Sequence, residues 1–264
     1  MSSSTPKLSE AARHVVFPST IETSLWPRVV ARAREMGVEF DQWQHGAGTL
    51  ALGKRADGKY ASTVGGVVLS IPRQVGKTFF VSIVAISLCT LFPGLTVLWT
   101  AHRTRTSTNT FDTMQGLVRS PKIAPFLPST VNRGIRTANG EQEIMFANGS
   151  RIMIGARGDG FGRGFDEVDI EVFDEAQILT ERVLEDMVAA TNQSRFEAGA
   201  LLFFMGTPPR PVDPGSEFTN RRQKALSGKT DNMVYIEFSA DDDADPDDQD
   251  QWRKANPSFP HRTP

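Results

Sequence analysis

The segment from Ser70 to Thr78 constrains this 264-residue chain more than any other, because it joins two apolar runs through the sequence Gly-Lys-Thr. Between a strand and a helix, this sequence ends a phosphate-binding loop. Backbone N–H groups and the helix N-terminus cradle phosphates, the lysine neutralises the β- and γ-oxygens, and the threonine hydroxyl reaches Mg²⁺. The usual motif has a glycine five residues before Gly76, where this chain has Ile71. The loop is therefore divergent, and its interpretation depends on support from elsewhere in the chain.

A second motif supports it. Residues 168–177 read Val-Asp-Ile-Glu-Val-Phe-Asp-Glu-Ala-Gln, an apolar strand that ends in Asp174 and Glu175. Ionised carboxylates at the end of a buried strand are costly unless they are paired or bound to a metal. In an ATPase the aspartate holds the Mg²⁺ shell, and the adjacent glutamate orients and deprotonates the attacking water. We therefore predict that Asp174 is a metal ligand and that Glu175 is the general base.

A third candidate follows the apolar strand 200–205, where Gly206, Thr207 and Pro208 come in succession. A small polar residue just past a central strand, beside the phosphate-loop strand, can contact the γ-phosphate or the catalytic glutamate and relay the nucleotide state. A turn that simply needs glycine and proline would explain the same residues. In the company of the other two motifs, we favour Thr207 as a nucleotide contact.

Three arginines are candidates for contact with the transferred phosphate. Arg157 and Arg163 lie in the segment 155–165, which contains five glycines. An arginine on a flexible loop suits a finger that stabilises phosphoryl-transfer charge, in its own or a neighbouring subunit. Contact with DNA or with carboxylates would explain this pair equally well. Arg73, inside the phosphate loop, is a separate candidate for a γ-phosphate sensor.

Gln44 is a candidate adenine contact ahead of the phosphate loop, in the sequence Phe-Asp-Gln-Trp-Gln over residues 40–44. Its amide can read adenine while an aromatic ring stacks nearby. Helix capping and core packing explain the same residues almost as well, so both interpretations stay open.

Apolar strands and helices alternate along most of the chain. The patterns predict strands over 64–70, 95–100, 168–173, 200–205 and 233–238, and helices over 27–37, 78–91, 104–118, 180–190 and 218–226. This alternation predicts an α/β fold with a mostly parallel sheet and helices on both faces. Asn148-Gly149, between the apolar stretches 143–147 and 151–154, predicts an inserted β-hairpin.

Composition is that of an ordinary soluble globular protein, with 39% apolar and 23% charged residues. No apolar run reaches the roughly 18 residues that cross a bilayer, and the N-terminus lacks a secretion signal. The single cysteine, Cys89, excludes an internal disulfide and suits a reducing cytoplasm. The net charge of −2 neither requires nor excludes DNA binding.

We expect three parts along the chain. Residues 1–37 are predicted to form an N-terminal arm with a helix, and residues 38–240 a phosphate-loop ATPase domain. Seven aspartates and three basic residues follow residue 240, so residues 241–264 are predicted to be an acidic, proline-containing linker.

Together these residues resemble the ATPase domain of the terminase large subunit, the DNA-packaging motor of tailed bacteriophages. The matching segments are residues 73–78, 172–176 and 205–208, together with Arg163-Gly164 and residues 41–44. An arginine in place of a loop glycine is a habit of that family, so the divergence at Arg73 supports the resemblance, which covers roughly residues 38–257.

The motifs and the resemblance together predict one site for ATP and Mg²⁺. The predicted nucleotide contacts are Gln44, Arg73, Gln74, Val75, Gly76, Lys77, Thr78 and Thr207, and the predicted metal ligands are Thr78 and Asp174. Glu175, Lys77, Arg73 and Arg163 are the predicted catalytic residues. Arg163 is the preferred finger because the family places an Arg-Gly pair before the Asp-Glu strand.

The resemblance also implies a RecA-like P-loop NTPase core of the additional-strand, conserved-glutamate (ASCE) type. It implies a ring, commonly a pentamer, on the portal protein of a prohead, working with a small terminase subunit and moving double-stranded DNA inward. A full-length protein of this family is also an endonuclease, but residues 241–264 leave no room for that domain, so we expect this chain to hydrolyse ATP and not to cut. The expected location is the host cytoplasm and, transiently, the prohead, without membrane contact.

Two other functions fit part of the sequence. A helicase-like ATPase that remodels nucleic acid would suit the Asp-Glu motif, although such an enzyme requires a second RecA-like domain. A nucleotide-gated scaffold that binds ATP without turnover would have no use for Glu175.

Overall fold

The computed structural model describes residues 5–130, 132–138, 142–157, 161, 165–188, 191, 193–208 and 216–259. The strands are β1 (His14–Val16), β2 (Thr23–Ser24), β3 (Gly53–Lys54), β4 (Gly66–Ser70), β5 (Thr96–Ala101), β6 (Ile135–Arg136), β7 (Gln142–Met145), β8 (Arg151–Ala156), β9 (Ile170–Phe173), β10 (Leu201–Gly206) and β11 (Met233–Glu237). The α-helices are α1 (Leu8–Ala11), α2 (Trp26–Glu35), α3 (Gln42–Ala51), α4 (Lys77–Leu91), α5 (Thr104–Val118), α6 (Glu181–Val188), α7 (Ser216–Leu226) and α8 (Gln249–Ala255).

A nine-stranded sheet organises these elements in the order β1-β11-β4-β10-β9-β5-β8-β7-β6. The strands from β11 to β8 pair in parallel, whereas β1, β7 and β6 are antiparallel to their neighbours. All residues of β4, β5, β9, β10 and β11 are buried, as expected when helices cover both faces of a parallel sheet. The predicted α/β fold with a mostly parallel sheet is confirmed.

The strand β10 separates the two strands that carry the main motifs. Phe203 of β10 pairs with Val67 of β4 on one side and with Val172 of β9 on the other. Because the three strands are parallel, their carboxyl ends lie at one edge of the sheet. The phosphate loop, the Asp-Glu pair and Thr207 therefore leave the sheet side by side.

The predicted hairpin is also present. Strands β7 and β8 are antiparallel, with Gln142 opposite Ile154 and Met145 opposite Arg151. The Ser150 hydroxyl donates to the Phe92 carbonyl over 2.7 Å, which anchors the turn to the end of α4. Strand β8 then pairs in parallel with β5, so the hairpin extends the main sheet.

An apolar cluster covers each face of the sheet. On one face, α2 and α3 pack over α4 through aromatic contacts: the Phe80 ring centroid lies 5.9 Å from the centroids of both Trp26 and Trp43. On the other face, Phe173 and Phe204 stack with their centroids 4.9 Å apart. This second cluster also includes Phe218 of α7. None of the described helices is long and apolar enough to span a membrane.

Both ends of the described chain contact the sheet or the phosphate loop in ways that the sequence did not predict. Strand β1 joins the sheet, with His14 opposite Glu237. The acidic segment after residue 240 contains α8, and Lys254 forms an ion pair of 2.6 Å with Asp241. Ser258 is 2% exposed, and its hydroxyl lies 3.4 Å from the Val75 carbonyl in the phosphate loop. The segment is thus folded against the domain.

We predict that Gly48→Ala destabilises the protein, because a Cβ at Gly48 would lie 2.2 Å from the Trp26 ring between α2 and α3. Overpacking of this kind costs about 1–3 kcal/mol. The matched control is Gly116→Ala in α5, where a Cβ meets nothing within 4 Å. That change should stabilise by up to about 1 kcal/mol, the helix-propensity difference between alanine and glycine. Urea unfolding of both variants checks the pair, and equal effects would contradict the packing of α2 on α3.

We also predict a pH-dependent effect for Glu171→Gln in the middle of β9. Glu171 is 0% exposed, and neither carboxyl oxygen has a hydrogen-bond partner among the described residues. Burial raises its pKa to about 8, against the lowering effect of the Arg157 charge. When the pKa of a carboxyl group is higher in the folded than in the unfolded state, the protein becomes less stable as the pH rises from the unfolded-state pKa towards the folded-state pKa.

Relative to the parent chain, Glu171→Gln should therefore gain stability between pH 5 and pH 8, by at most about 5 kcal/mol. Urea unfolding at several pH values within this range measures the difference. The exposed Glu22, changed to Gln, is the control for loss of a charge. A difference from the parent that stays constant with pH would show that Glu171 does not titrate in this range.

Candidate functional site

A cleft of about 480 Å³ opens at the sheet edge where β4, β10 and β9 end. The predicted site residues that line it are Arg73, Lys77, Thr78, Asp174, Glu175 and Thr207. The structure thus brings together the three motifs, which are far apart in the sequence. Arg163 lies outside the described residues, so its assignment as the finger stays a prediction.

The phosphate loop adopts a left-handed backbone at two positions, Gln74 with φ 63° and Gly76 with φ 97°. Gly76 directly precedes α4, so the loop leads into the N-terminus of a 15-residue helix. A left-handed conformation costs a non-glycine residue roughly 1–2 kcal/mol. Ile71 is buried and its N–H donates to the Gly206 carbonyl over 2.9 Å, as a strand residue would. The backbone at Ile71 is therefore not left-handed, and the position does not require a glycine.

Lys77 begins α4 and reaches back across the loop. Its Nζ donates to the Pro72 carbonyl over 3.3 Å. Burial lowers the pKa of Lys77, the negative charge of Asp174 raises it, and Arg73 lowers it further. An anion bound in the cleft would stabilise the charged lysine, which is the role that the motif predicts for it.

Asp174 is the buried carboxylate of the site, with 6% of its surface exposed. Its Oδ1 accepts a hydrogen bond of 2.9 Å from the Glu175 N–H. Burial raises the pKa of Asp174, while that hydrogen bond and the charges of Lys77 and Arg157 lower it. Carboxylate and hydroxyl oxygens are the ligands that Mg²⁺ prefers, and Asp174 lines the cleft together with Thr78. These two residues therefore fit a magnesium ion.

Glu175 has a left-handed backbone, with φ 54°. Its Oε2 accepts hydrogen bonds from the N–H groups of His102, over 3.2 Å, and Arg103, over 3.4 Å. These two residues directly precede α5, where the helix dipole favours a negative charge. No hydrogen bond to Oε1 is found in the described part of the chain, so this oxygen can face a water in the cleft.

Arg157 holds the ends of two strands. Its Nη1 donates to the Thr100 carbonyl over 2.7 Å and to the Thr100 hydroxyl over 3.0 Å, and its Nη2 donates to the Asp174 carbonyl over 2.7 Å. Burial lowers its pKa to about 10, so the guanidinium is charged at neutral pH. With both terminal nitrogens on strand ends, Arg157 is a poor candidate for a mobile finger.

Gln44 lies beside the phosphate loop but inside the protein. It is 1% exposed, and its Oε1 accepts a hydrogen bond of 2.9 Å from the Asp41 N–H at the start of α3. Its Nε2 lies on the side of Gly76, 3.8 Å from where a Cβ would be. The helix-capping interpretation thus describes its contacts in the structure, and adenine recognition by Gln44 stays a prediction.

The sequence interpretation missed the contribution of α5 to the cleft. Arg103, directly before the helix, and five residues of the helix line the cleft: Arg105, Thr106, Asn109, Thr110 and Thr113. The sequence feature that could have predicted this contribution is the spacing of the polar residues 106, 109, 110 and 113. It places them on one side of a helix that follows a central strand. Among the charged residues that line the cleft, four cations face two carboxylates. This excess of positive charge suits a polyanionic ligand.

Comparisons with known proteins identify the fold. No protein-family model and no curated protein matches the chain. Among solved structures, the large terminase of bacteriophage HK97 superposes with a TM-score of 0.71, at 15% identity over 91% of this chain and 49% of that one. A variant of the large terminase ATPase domain of Thermus phage P74-26 superposes with a TM-score of 0.50, at 15% identity over 71% of each chain.

This chain therefore spans about half the length of the HK97 protein. It has the fold of the ATPase domain of phage large terminases, as the sequence resemblance predicted.

Proposed function

We propose that this chain hydrolyses ATP with Mg²⁺ and, as the motor domain of a terminase large subunit, moves double-stranded viral DNA into a prohead. The observation that carries the proposal is the convergence of Lys77, Thr78, Asp174 and Glu175 on one cleft, at the carboxyl ends of the two parallel strands that flank β10. The fold shared with phage large terminases supports the biological assignment.

Each part of the cleft has a place in phosphoryl transfer. The N-terminus of α4 and Lys77 would bind the phosphates, and Arg73 and Thr207, which line the same cleft, would contact the γ-phosphate. Thr78 and Asp174 would hold Mg²⁺, which neutralises charge on the phosphate oxygens when bound. Glu175, fixed through Oε2, orients the attacking water and accepts its proton at Oε1.

The remaining assignments belong to the same proposal. They are a ring of identical subunits on the portal protein, action with a small terminase subunit, Arg163 as the finger, the host cytoplasm as the location, and an endonuclease activity in the full-length protein. Their support is the sequence resemblance together with the shared fold.

We predict that Glu175→Gln abolishes steady-state ATP hydrolysis and keeps ATP binding. The amide cannot accept the proton of the attacking water, and general-base catalysis contributes about 10²–10⁴-fold. Hydrolysis is measured by phosphate release and binding by titration with a fluorescent ATP analogue. Lys77→Ala is the comparison, because it should weaken binding itself. Unchanged turnover in Glu175→Gln would remove Glu175 from its role.

We predict that ATPase activity rises cooperatively with protein concentration and that duplex DNA stimulates it. Ring assembly would bring an arginine of one subunit to the nucleotide of the next, which explains the cooperativity. Phosphate release is measured over a range of protein concentrations with duplex DNA, with single-stranded DNA and without DNA. Stimulation by single strands alone would favour a helicase-like function and contradict the motor proposal.

A further inference from the structure

We propose that Arg157 is a positioning residue, which holds the peptide group between Asp174 and Glu175 and thereby fixes the backbone turn that carries Glu175 at the cleft. The inference rests on the proposed function, because it concerns how the general base of ATP hydrolysis is held.

The first step concerns the backbone of Glu175. Its φ of 54° is unfavourable for a residue with a Cβ, so the surrounding structure must hold it. Rotation of the peptide plane between Asp174 and Glu175 by half a turn would give Glu175 a negative φ and relieve the strain. The flip alone leaves the Cα positions almost unchanged, but it frees the backbone angles of Glu175, so that its carboxylate is no longer held against the His102 and Arg103 N–H groups.

The second step concerns the two polar groups of that peptide plane. Its carbonyl, from Asp174, accepts the 2.7 Å hydrogen bond from Arg157 Nη2. Its N–H, from Glu175, donates to Asp174 Oδ1 over 2.9 Å. Half a turn of the plane would break both bonds and bring an N–H towards the guanidinium. Since an unpaired buried polar group is costly, Arg157 disfavours the relaxed turn.

The third step concerns how Arg157 itself is held. Its Nη1 donates to both the carbonyl and the hydroxyl of Thr100 at the end of β5. The Asp174 N–H also donates to the Thr100 carbonyl, over 2.8 Å. The N–H groups of His102 and Arg103, which bind Glu175, follow two and three residues later. Arg157 therefore links two parts of the site: the turn at Glu175 and the N–H groups that bind the Glu175 carboxylate.

The location of Arg157 agrees with this role. It directly follows β8, the parallel neighbour of β5, and its guanidinium carbon lies 6.0 Å from the centroid of the Phe173 ring. Burial lowers its pKa, and the negative charges of Asp174 and Glu175 raise it. A cation with this many fixed partners positions other groups and does not have to move during the reaction.

The test compares Arg157→Met, which keeps the bulk of the side chain without its donors, with Arg157→Lys. We expect Arg157→Met to lower kcat by more than about tenfold and to change the Kd for ATP by less than about threefold, because the phosphate-binding residues are untouched. Lysine, with one charged donor group, should restore part of kcat. Arg151→Met is the matched control, an exposed arginine on the same strand with an ion pair of 3.9 Å to Glu143.

Two further measurements separate positioning from a general loss of structure. In a Glu175→Gln background, whose residual hydrolysis is measured as a single-turnover rate with enzyme in excess over ATP, Arg157→Met should cause no further loss of that rate, because both changes act through the same group. A crystal structure of Arg157→Met should show Glu175 with a negative φ. If Arg157→Met does not fold, as judged by thermal unfolding, Arg157→Lys takes its place in both measurements.

Three results would each overturn the inference. The first is an unchanged kcat in Arg157→Met, and the second is a full multiplicative loss of rate in the Glu175→Gln background. The third is a Glu175 φ that remains positive in the variant. If the parent chain hydrolyses no ATP, the proposed function fails on its own. The φ of Glu175 in the variant crystal structure then still decides whether Arg157 holds the turn.

Discussion

The parallel pairing of β10 with both β4 and β9 is the constraint on which the site depends. It places the phosphate loop and the Asp-Glu turn two strand spacings apart, about 9–10 Å in all. The cleft lined by Lys77 and Asp174 opens at the carboxyl ends of these strands. The same pairing also places Thr207, at the end of the intervening strand, between the loop and the turn. The chemistry of the cleft is thus a consequence of strand order.

Burial shifts the pKa values of the two oppositely charged groups of the site in opposite directions. Burial lowers the pKa of Lys77 and raises that of Asp174, and the charge of each counteracts the effect on the other. Arg157 adds a second cation, which donates a hydrogen bond to the Asp174 carbonyl and also lowers the pKa of Asp174. A phosphate chain beside Lys77 and a divalent cation beside Asp174 would each favour the charged form of their partner. The site is therefore electrostatically suited to bind the two together.

The sequence was sufficient for the fold class, the hairpin and the strand ends that carry the motifs, because each depends on a local pattern. It was not sufficient for contacts between distant segments. Strand β1 has three residues and pairs with a strand more than two hundred positions later. The hydrogen bonds of Arg157 to Thr100 and Asp174 likewise join three strands, and its glycine-rich surroundings suggested a mobile loop. The sequence showed the spacing of the polar residues in α5, but it did not show that they line the cleft.

The divergence of the phosphate loop follows from the packing of its surroundings. Ile71 and Val75 are buried in the same apolar cluster as β4 and α4, which a glycine at either position could not fill. The left-handed conformation falls instead on Gln74 and Gly76. Arg73 and Gln74 are exposed, so the loop can place a charged side chain at the cleft without loss of core packing. The absence of the usual glycine therefore reflects a division between residues that pack inward, at Ile71 and Val75, and a residue that lines the cleft, Arg73.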